Sequence, residues 1–324
     1  VKPRVLVTRR VYPAAIAILQ EHCVVDYHDS YDVLDAARLQ QRLQHAHGVV
    51  CQLTDPLTAE VIAGAPLLRC ISQIAVGLDN VDVAAAAARG IVVTHTPGVL
   101  TEATADLTWA LLLAVARRLP EAQQFLRSGA WRRWDIDLLC GADVHGRTLG
   151  LVGFGRIGQA VARRALGFGM RVLYASRTPA DDRIARELAA THVPLDLLLR
   201  ESDFVSLHVP LTDATRHLIG VEQLSRMKRT AFLINTSRGP VVDEQALAAA
   251  LEEHLLAGAG LDVFEREPEV HPDLLRLPNV VLLPHVGSAV TSVRSLMCAL
   301  AASDCVAVLT GQQPKHAATL PGLP

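Results

Sequence analysis

The sequence predicts an α/β protein in which parallel sheets are covered by helices on both faces. Three observations carry this. The chain has 324 residues, more than one hydrophobic core usually serves, so two domains are expected. Short apolar runs alternate with amphipathic stretches from end to end, the rhythm of strand–helix–strand crossovers. Half of the residues are apolar while aromatics make up only 4%, so Ala, Val and Leu must fill the core, which suits helices packed on buried strands.

A first series of apolar runs predicts strands at 4–8, 24–27, 48–51, 70–73 and 91–94, with helical patterns at 12–21 and 35–44 between them. Pro97-Gly98 then punctuates the chain before a long helical pattern at 102–118. A second series predicts strands at 149–152, 171–174, 204–207, 231–234, 260–263 and 280–283. A last apolar helix is expected at 289–309. Its return to the first series would leave the second as an insert.

The 31 Lys and Arg nearly balance the 33 Asp and Glu, for a net charge of −2. With no basic excess, neither nucleic acid nor an anionic membrane surface is an expected partner. The longest uninterrupted apolar run, 109–116, is too short to span a bilayer. The N-terminus reads as a strand and lacks a signal peptide's apolar core. Cys23, Cys51, Cys70, Cys140, Cys298 and Cys305 are scattered, with no Cys-x-x-Cys pair. They read as thiols of a cytoplasmic protein, with no metal site expected.

The strongest local signal is Gly153-x-Gly155-x-x-Gly158, which follows an apolar strand and opens a helical pattern. The first glycine makes a tight turn, the second lets backbone touch a pyrophosphate, and the third lets helix and strand pack closely. The helix N-terminus adds free N–H groups and partial positive charge. The next strand distinguishes the cofactors. An NAD site usually ends it with a carboxylate for the ribose 2′-hydroxyl. Here the end reads Ser176-Arg177-Thr178, and no carboxylate appears before Asp181. Arg177 can pair with a 2′-phosphate, and Ser176 and Thr178 can donate to it. NADP(H) is therefore expected in preference to NAD(H), which stays possible.

Three polar segments fall at ends of later predicted strands, where open α/β sheets place their ligands. They are Asn235-Thr236-Ser237-Arg238-Gly239, Asp262-Val263-Phe264-Glu265-Arg266-Glu267-Pro268 and Pro284-His285-Val286-Gly287-Ser288. An Arg, a Glu and a His at successive strand ends can converge.

Over nearly its whole length the chain resembles the D-isomer-specific 2-hydroxyacid dehydrogenases, and among them most the glyoxylate/hydroxypyruvate reductases. The resemblance rests on the three segments above, the glycine loop with Arg156-Ile157-Gly158, Gly77-Leu78-Asp79-Asn80-Val81-Asp82, and His208-Val209-Pro210-Leu211-Thr212. It implies two doubly wound parallel-sheet domains with a cleft between them that closes by hinge motion. A flavodoxin-like substrate-binding domain would combine 1–99 with 288–324. A Rossmann dinucleotide-binding domain with a dimerisation helix would occupy 100–287. The apolar spacing of Leu107, Ala110, Leu111 and Ala114 suits core packing and, under the resemblance, a homodimer interface. Trp131 and Trp134 would either reach a neighbouring subunit or pack within their own.

The resemblance also implies roles. His285 would be the general acid that protonates the ketone oxygen as hydride reaches its carbon. Glu267, rather than Glu265, would orient its other ring nitrogen, because the family's acid directly precedes Pro. Arg238 would polarise the ketone and hold the substrate carboxylate. Leu53, the backbone N–H groups of Val76 and Gly77, Ser288 and Arg294 would contribute to substrate binding, though Arg294 suits a solvent-facing helix position equally well. Thr104, His208, Val209, Pro210, Thr215, Thr236 and Asp262 would surround the nicotinamide side of the cofactor. Ser237, Arg238, His285 and Gly287 would also touch the cofactor.

The implied reaction is NADPH-preferring reduction of small 2-keto acids, glyoxylate and hydroxypyruvate, to 2-hydroxy acids. Related chemistries weigh less. Formate dehydrogenases carry Gln in place of Glu267, and phosphite dehydrogenases carry a Lys beside Ala75-Val76-Gly77 that this chain lacks. Phosphoglycerate dehydrogenases often add a long C-terminal extension. A non-catalytic NADP(H)-sensing protein would keep the cofactor loop without needing an intact Arg–Glu–His set.

Overall fold

The computed structural model describes residues 2–318. The chain divides into two compact units. One is Thr101–Ser288; the other ends at Leu100 and resumes at Ala289.

The first unit holds strands β1 (Arg4–Val7), β2 (Val24–Tyr27), β3 (Gly48–Cys51), β4 (Cys70–Gln73) and β5 (Val92–Thr94), in the order β2-β1-β3-β4-β5. All pairs are parallel. This is the flavodoxin-like order, whose switch point lies between β1 and β3. Alternation of side chains across each strand gives the sheet two buried faces. Leu6, Val49 and Ile71 pack with Leu39 and Leu43 on one face. Val5, Val7, Val50 and Cys70 pack on the other with Leu19 and with Cys298, Ala302, Cys305 and Leu309 of the final helix.

That helix, Thr291–Leu309, corrects the reading of membrane-length segments. It is long and apolar enough to cross a bilayer by length and composition, because scattered polar residues hide it from a count of uninterrupted apolar ones. It is the core helix of its unit, lying against β3, β4 and the helix Pro13–His22. Its buried Asp304 accepts from Lys315 N at 2.8 Å and pairs with His316 Nδ1 at 2.7 Å.

The second unit holds β6 (Thr148–Val152), β7 (Arg171–Ala175), β8 (Ala190–His192), β9 (Phe204–Leu207), β10 (Phe232–Asn235), β11 (Gly258–Leu261) and β12 (Val280–Leu282). Their order is β12-β11-β10-β9-β6-β7-β8, again parallel throughout. From β8 this is the Rossmann order 3-2-1-4-5-6 with a seventh strand added. Leu149, Leu151, Tyr174, Phe204 and Ile234 pack on one face with Trp109, Leu112 and Val161. Val205, Leu207, Leu233 and Leu261 pack on the other with Leu198, Leu247 and Leu251. The switch point lies between β6 and β9, and the glycine loop leaves the sheet there.

The sequence reading missed β8. Ala190-Thr191-His192 is a three-residue edge strand, mostly exposed, with no apolar run to announce it. It also placed β11 two residues late, because the small residues Gly258, Ala259 and Gly260 precede the visibly apolar Leu261.

Candidate active site

In the glycine loop, each glycine has a distinct steric reason. Gly153 has φ +93°, and a Cβ there would lie 2.5 Å from the His208 carbonyl oxygen. A Cβ on Gly158 would lie 2.5 Å from the Gly153 oxygen, so the helix Arg156–Ala165 could not seat so closely on its strand. A Cβ on Gly155 would meet nothing within 4 Å. Gly155 is the helix N-cap and supplies no side-chain acceptor. The first-turn N–H groups therefore face open space rather than a cap, which fits a dinucleotide pyrophosphate.

His208 lies under this loop. Burial drives its imidazole down to about 3, so the ring is neutral at ordinary pH, and its Nε2 is 2.9 Å from Ser206 Oγ. Thr215 Oγ1 donates to the Pro210 carbonyl at 2.7 Å and orders the loop that follows β9. At the end of β7, the Ser176 hydroxyl donates to the Thr178 carbonyl at 2.7 Å, so its proton tightens the turn. Arg177 and Thr178 are exposed. Among the described residues Arg177 makes no ion pair.

The Arg, Glu and His segments leave β10, β11 and β12, three adjacent strands. Asn235 builds the first turn: its Oδ1 accepts from Ser237 N at 3.0 Å and Ser237 Oγ at 2.8 Å, and its Nδ2 donates to the Arg238 carbonyl at 2.9 Å. The Arg238 guanidinium donates through Nη1 to the Ser237 carbonyl at 2.8 Å. Gly239 lets this turn press against the next. A Cβ there would fall 1.9 Å from Phe264 C and 2.4 Å from Glu265 N.

Glu267 bridges the second and third segments. Its Oε2 lies 2.7 Å from His285 Nδ1, and its Oε1 accepts from Phe264 N at 3.1 Å. Burial pushes this carboxyl up, but the His285 hydrogen bond and charge, the Phe264 N–H and the Arg238 charge outweigh it. The net value is below the ordinary one. Glu265 points elsewhere: its Oε1 is 2.8 Å from His217 Nε2 and accepts from Glu244 N at 3.2 Å.

His285 has φ +52°, in the left-handed region where a non-glycine residue is strained. Asp262 holds it there. The Asp262 carbonyl accepts from His285 N at 2.8 Å, and its two carboxylate oxygens accept from Val286 N at 2.7 Å and Gly287 N at 2.8 Å. Burial raises the Asp262 carboxyl, against the pull of those N–H groups and of the His285 charge. The sequence pointed to Asp262 as a neighbour of the cofactor; its carboxylate is engaged in bracing the histidine turn. Thr104 Oγ1 donates to the Gly287 carbonyl at 3.2 Å, and the Thr236 hydroxyl is 2.8 Å from that of Thr108. Thr108, which the sequence reading passed over, thus ties the Arg238 segment to the helix Thr101–Ala116.

In the first unit, Leu53 sits in the turn after β3, and Val76 and Gly77 in the loop after β4. Among the described residues neither the Val76 nor the Gly77 N–H makes a backbone hydrogen bond, whereas the Val76 carbonyl is 2.9 Å from His95 Nδ1. Arg294 lies in the first turn of the final helix, and Ser288 closes the second unit.

Residues 109–287 match the family model described as D-isomer specific 2-hydroxyacid dehydrogenase, NAD binding domain. The chain is 52% identical to a glyoxylate reductase of Korarchaeum cryptofilum, over 97% of this chain and 95% of that protein. Among solved structures it resembles a protein from Thermus thermophilus, with TM-score 0.91, 49% identity and coverage of 98% and 100% of the two chains. It also resembles an NADPH-dependent glyoxylate/hydroxypyruvate reductase from Sinorhizobium meliloti, solved with NADP and malonate, with TM-score 0.89, 38% identity and coverage of 98% and 97%. With the family model matching more than half of the chain and relatives about 50% identical over nearly its full length, the chain belongs to the D-isomer specific 2-hydroxyacid dehydrogenase family, whose model here is that of its NAD-binding domain.

Proposed function

We propose that the protein reduces small 2-keto acids, with glyoxylate and hydroxypyruvate foremost, to 2-hydroxy acids, using NADPH in preference to NADH. The observation that carries the proposal is the 2.7 Å contact between His285 Nδ1 and an ionised Glu267. With Nδ1 engaged, Nε2 is the nitrogen left to carry a proton to substrate. Bound at the glycine loop, NADPH would supply the hydride to the keto carbon. As the carbonyl electron pair moves to oxygen, His285 gives that oxygen its Nε2 proton and later regains one from solvent. Glu267 stabilises the imidazolium, and Asp262 fixes the backbone from which the ring projects. Arg238 faces developing negative charge on the oxygen and holds the carboxylate. The open N–H groups of Val76 and Gly77 suit a carboxylate oxygen.

The cofactor preference rests on Arg177, a planar cation at the end of β7 where a ribose 2′-phosphate would lie. A homodimer is part of the same proposal. Leu107, Ala110 and Ala114 lie on the side of the helix Thr101–Ala116 away from the core, whereas Leu111 is buried within it. The segment that follows exposes Leu119, Leu126, Trp131, Trp134 and Ile136, the last two at 71% and 81%. So much uncovered apolar surface in one stretch fits an interface between subunits.

The test is a panel of 2-keto acids ranked by kcat/KM with each cofactor. Glyoxylate or hydroxypyruvate with NADPH is expected to lead. A bulky aromatic keto acid in first place, or tight NADPH binding without oxidation by any keto acid, would overturn the proposal.

A further inference from the structure

The first unit contains a partly buried polar clamp that joins the turn carrying Leu53 to the loop whose Val76 and Gly77 N–H groups the proposed function offers to the substrate's carboxylate. The first segment is the turn after β3 that carries Leu53. Its Gln52 N–H donates to Asp55 Oδ2 at 2.6 Å. Asp55 is fully buried and also accepts from Thr8 Oγ1 at 2.5 Å, with Arg9 Nε 3.4 Å from its other oxygen. Arg9 Nη2 donates in turn to Thr54 Oγ1 at 2.6 Å. Gln52 Nε2 donates to the Arg10 carbonyl at 3.0 Å, so the turn is fastened to the segment after β1 on both sides of Leu53, at the switch point of the sheet. The second segment is the loop after β4, with the open N–H groups of Val76 and Gly77.

Asn80 joins the two. Its Nδ2 donates to the Gln52 carbonyl at 3.0 Å and the Asp55 carbonyl at 2.8 Å. Its Oδ1 accepts from Gln73 Nε2 at 2.7 Å. Gln73 is fully buried, and its Oε1 accepts from Cys51 Sγ at 3.0 Å. The polarity of this chain of bonds is fixed. Two carbonyls can only accept, so Asn80 must turn its NH₂ to them and its oxygen to Gln73. Gln73 must then present its own NH₂ to Asn80 and its oxygen to the thiol. Buried networks satisfied in this way hold a single geometry.

We infer that Asn80 is a positioning residue that sets the separation between Leu53 and the Val76–Gly77 N–H groups, and so the size of the acid held. The inference rests on the proposed keto-acid reductase activity. It assigns Asn80 no contact with substrate.

Asn80→Leu keeps the branched four-atom shape of the side chain, with somewhat greater bulk, and removes all three bonds without adding charge. Gln73→Met is the milder variant, leaving the Asn80 donors in place but their orientation unsupported. In Asn80→Leu the KM for glyoxylate is expected to rise about tenfold, and kcat/KM for 2-ketoisocaproate relative to glyoxylate to rise by a similar factor. The Kd for NADPH, read by fluorescence, stays within about twofold. Gln73→Met falls between Asn80→Leu and the parent, and it decides the matter if Asn80→Leu does not fold. Calorimetry with oxalate, a small unreactive dicarboxylate, reads the same clamp without turnover. If the parent protein binds oxalate but reduces no keto acid, the functional proposal fails while the clamp is still tested. Unchanged KM and oxalate affinity in the folded variants, or a loss of NADPH affinity in parallel, overturns the inference.

Discussion

Gly239 offers a perturbation whose size follows from the structure. A Cβ at that position would lie 1.9 Å from Phe264 C and 2.0 Å from Phe264 O, where ordinary contact begins at 3.4 Å. The obstructing atoms are backbone, so no side chain can swing aside. In Gly239→Ala the Arg238 turn and the 264–267 segment must therefore separate by the difference, about 1.5 Å. Overpacking of this kind costs about 1–3 kcal/mol, or a Tm loss of about 2–4 °C per kcal/mol. The kinetic effect is larger, because a misplacement of about 1 Å at reacting groups costs on the order of 100-fold in rate. The assay is steady-state reduction of glyoxylate at saturating NADPH, beside the Tm and the Kd for NADPH. Gly167→Ala is the control, since its Cβ would meet nothing within 4 Å. A Gly239→Ala enzyme with kcat within about threefold of the parent and unchanged Tm would refute the idea that this backbone contact sets the spacing of Arg238 and Glu267.

Three further outcomes are expected. Arg177→Asp removes a charge-assisted pairing and adds repulsion, so the NADPH/NADH ratio of kcat/KM should fall by about 10- to 100-fold; an unchanged ratio rejects Arg177 as the discriminator. Glu267→Gln should lower kcat more than it raises the KM for NADPH. Because the folded Glu267 carboxyl lies below its ordinary value of 4.5, its ion pair adds stability that is complete above that value and is lost as pH falls through the lower folded one. With side chains 27% and 28% exposed, the deficit of the Gln variant at neutral pH should be about 1–2 kcal/mol, shrinking in acid; denaturant melts that show a deficit independent of pH would contradict this. Trp134→Glu should convert a dimer to monomers in light scattering coupled to gel filtration, and a parent protein that elutes as a monomer at micromolar concentration removes the interface altogether.

Much of this was legible in the sequence because the signals were local. Apolar runs marked eleven of the strands, and the glycine spacing announced a loop whose steric reasons reappear at Gly153 and Gly158. Strand order was not local information; it came only through family resemblance. The Arg–Glu–His set was readable because each member sits in a short motif at a strand end. What stayed hidden were partners distant in sequence. Nothing near Asp262 indicates that its oxygens hold N–H groups of residues 286 and 287. Nothing in Gly77-Leu78-Asp79-Asn80 indicates that Asn80 reaches back to Gln52 and Asp55. Thr108 looked like one polar residue on an apolar helix until Thr236 appeared beside it.

The return of the final helix to the first sheet has a consequence for synthesis on the ribosome. One side of β1, β3 and β4 is completed only by Cys298, Ala302, Cys305 and Leu309. These residues emerge about 200 positions after β5, so at about 5–20 residues per second the nascent first unit waits on the order of 10–40 s with that side covered only in part, by Ala15 and Leu19. The inserted unit, Thr101–Ser288, has all its strands in hand before then. In the newborn chain the inserted unit can therefore finish folding before the unit that surrounds it in sequence.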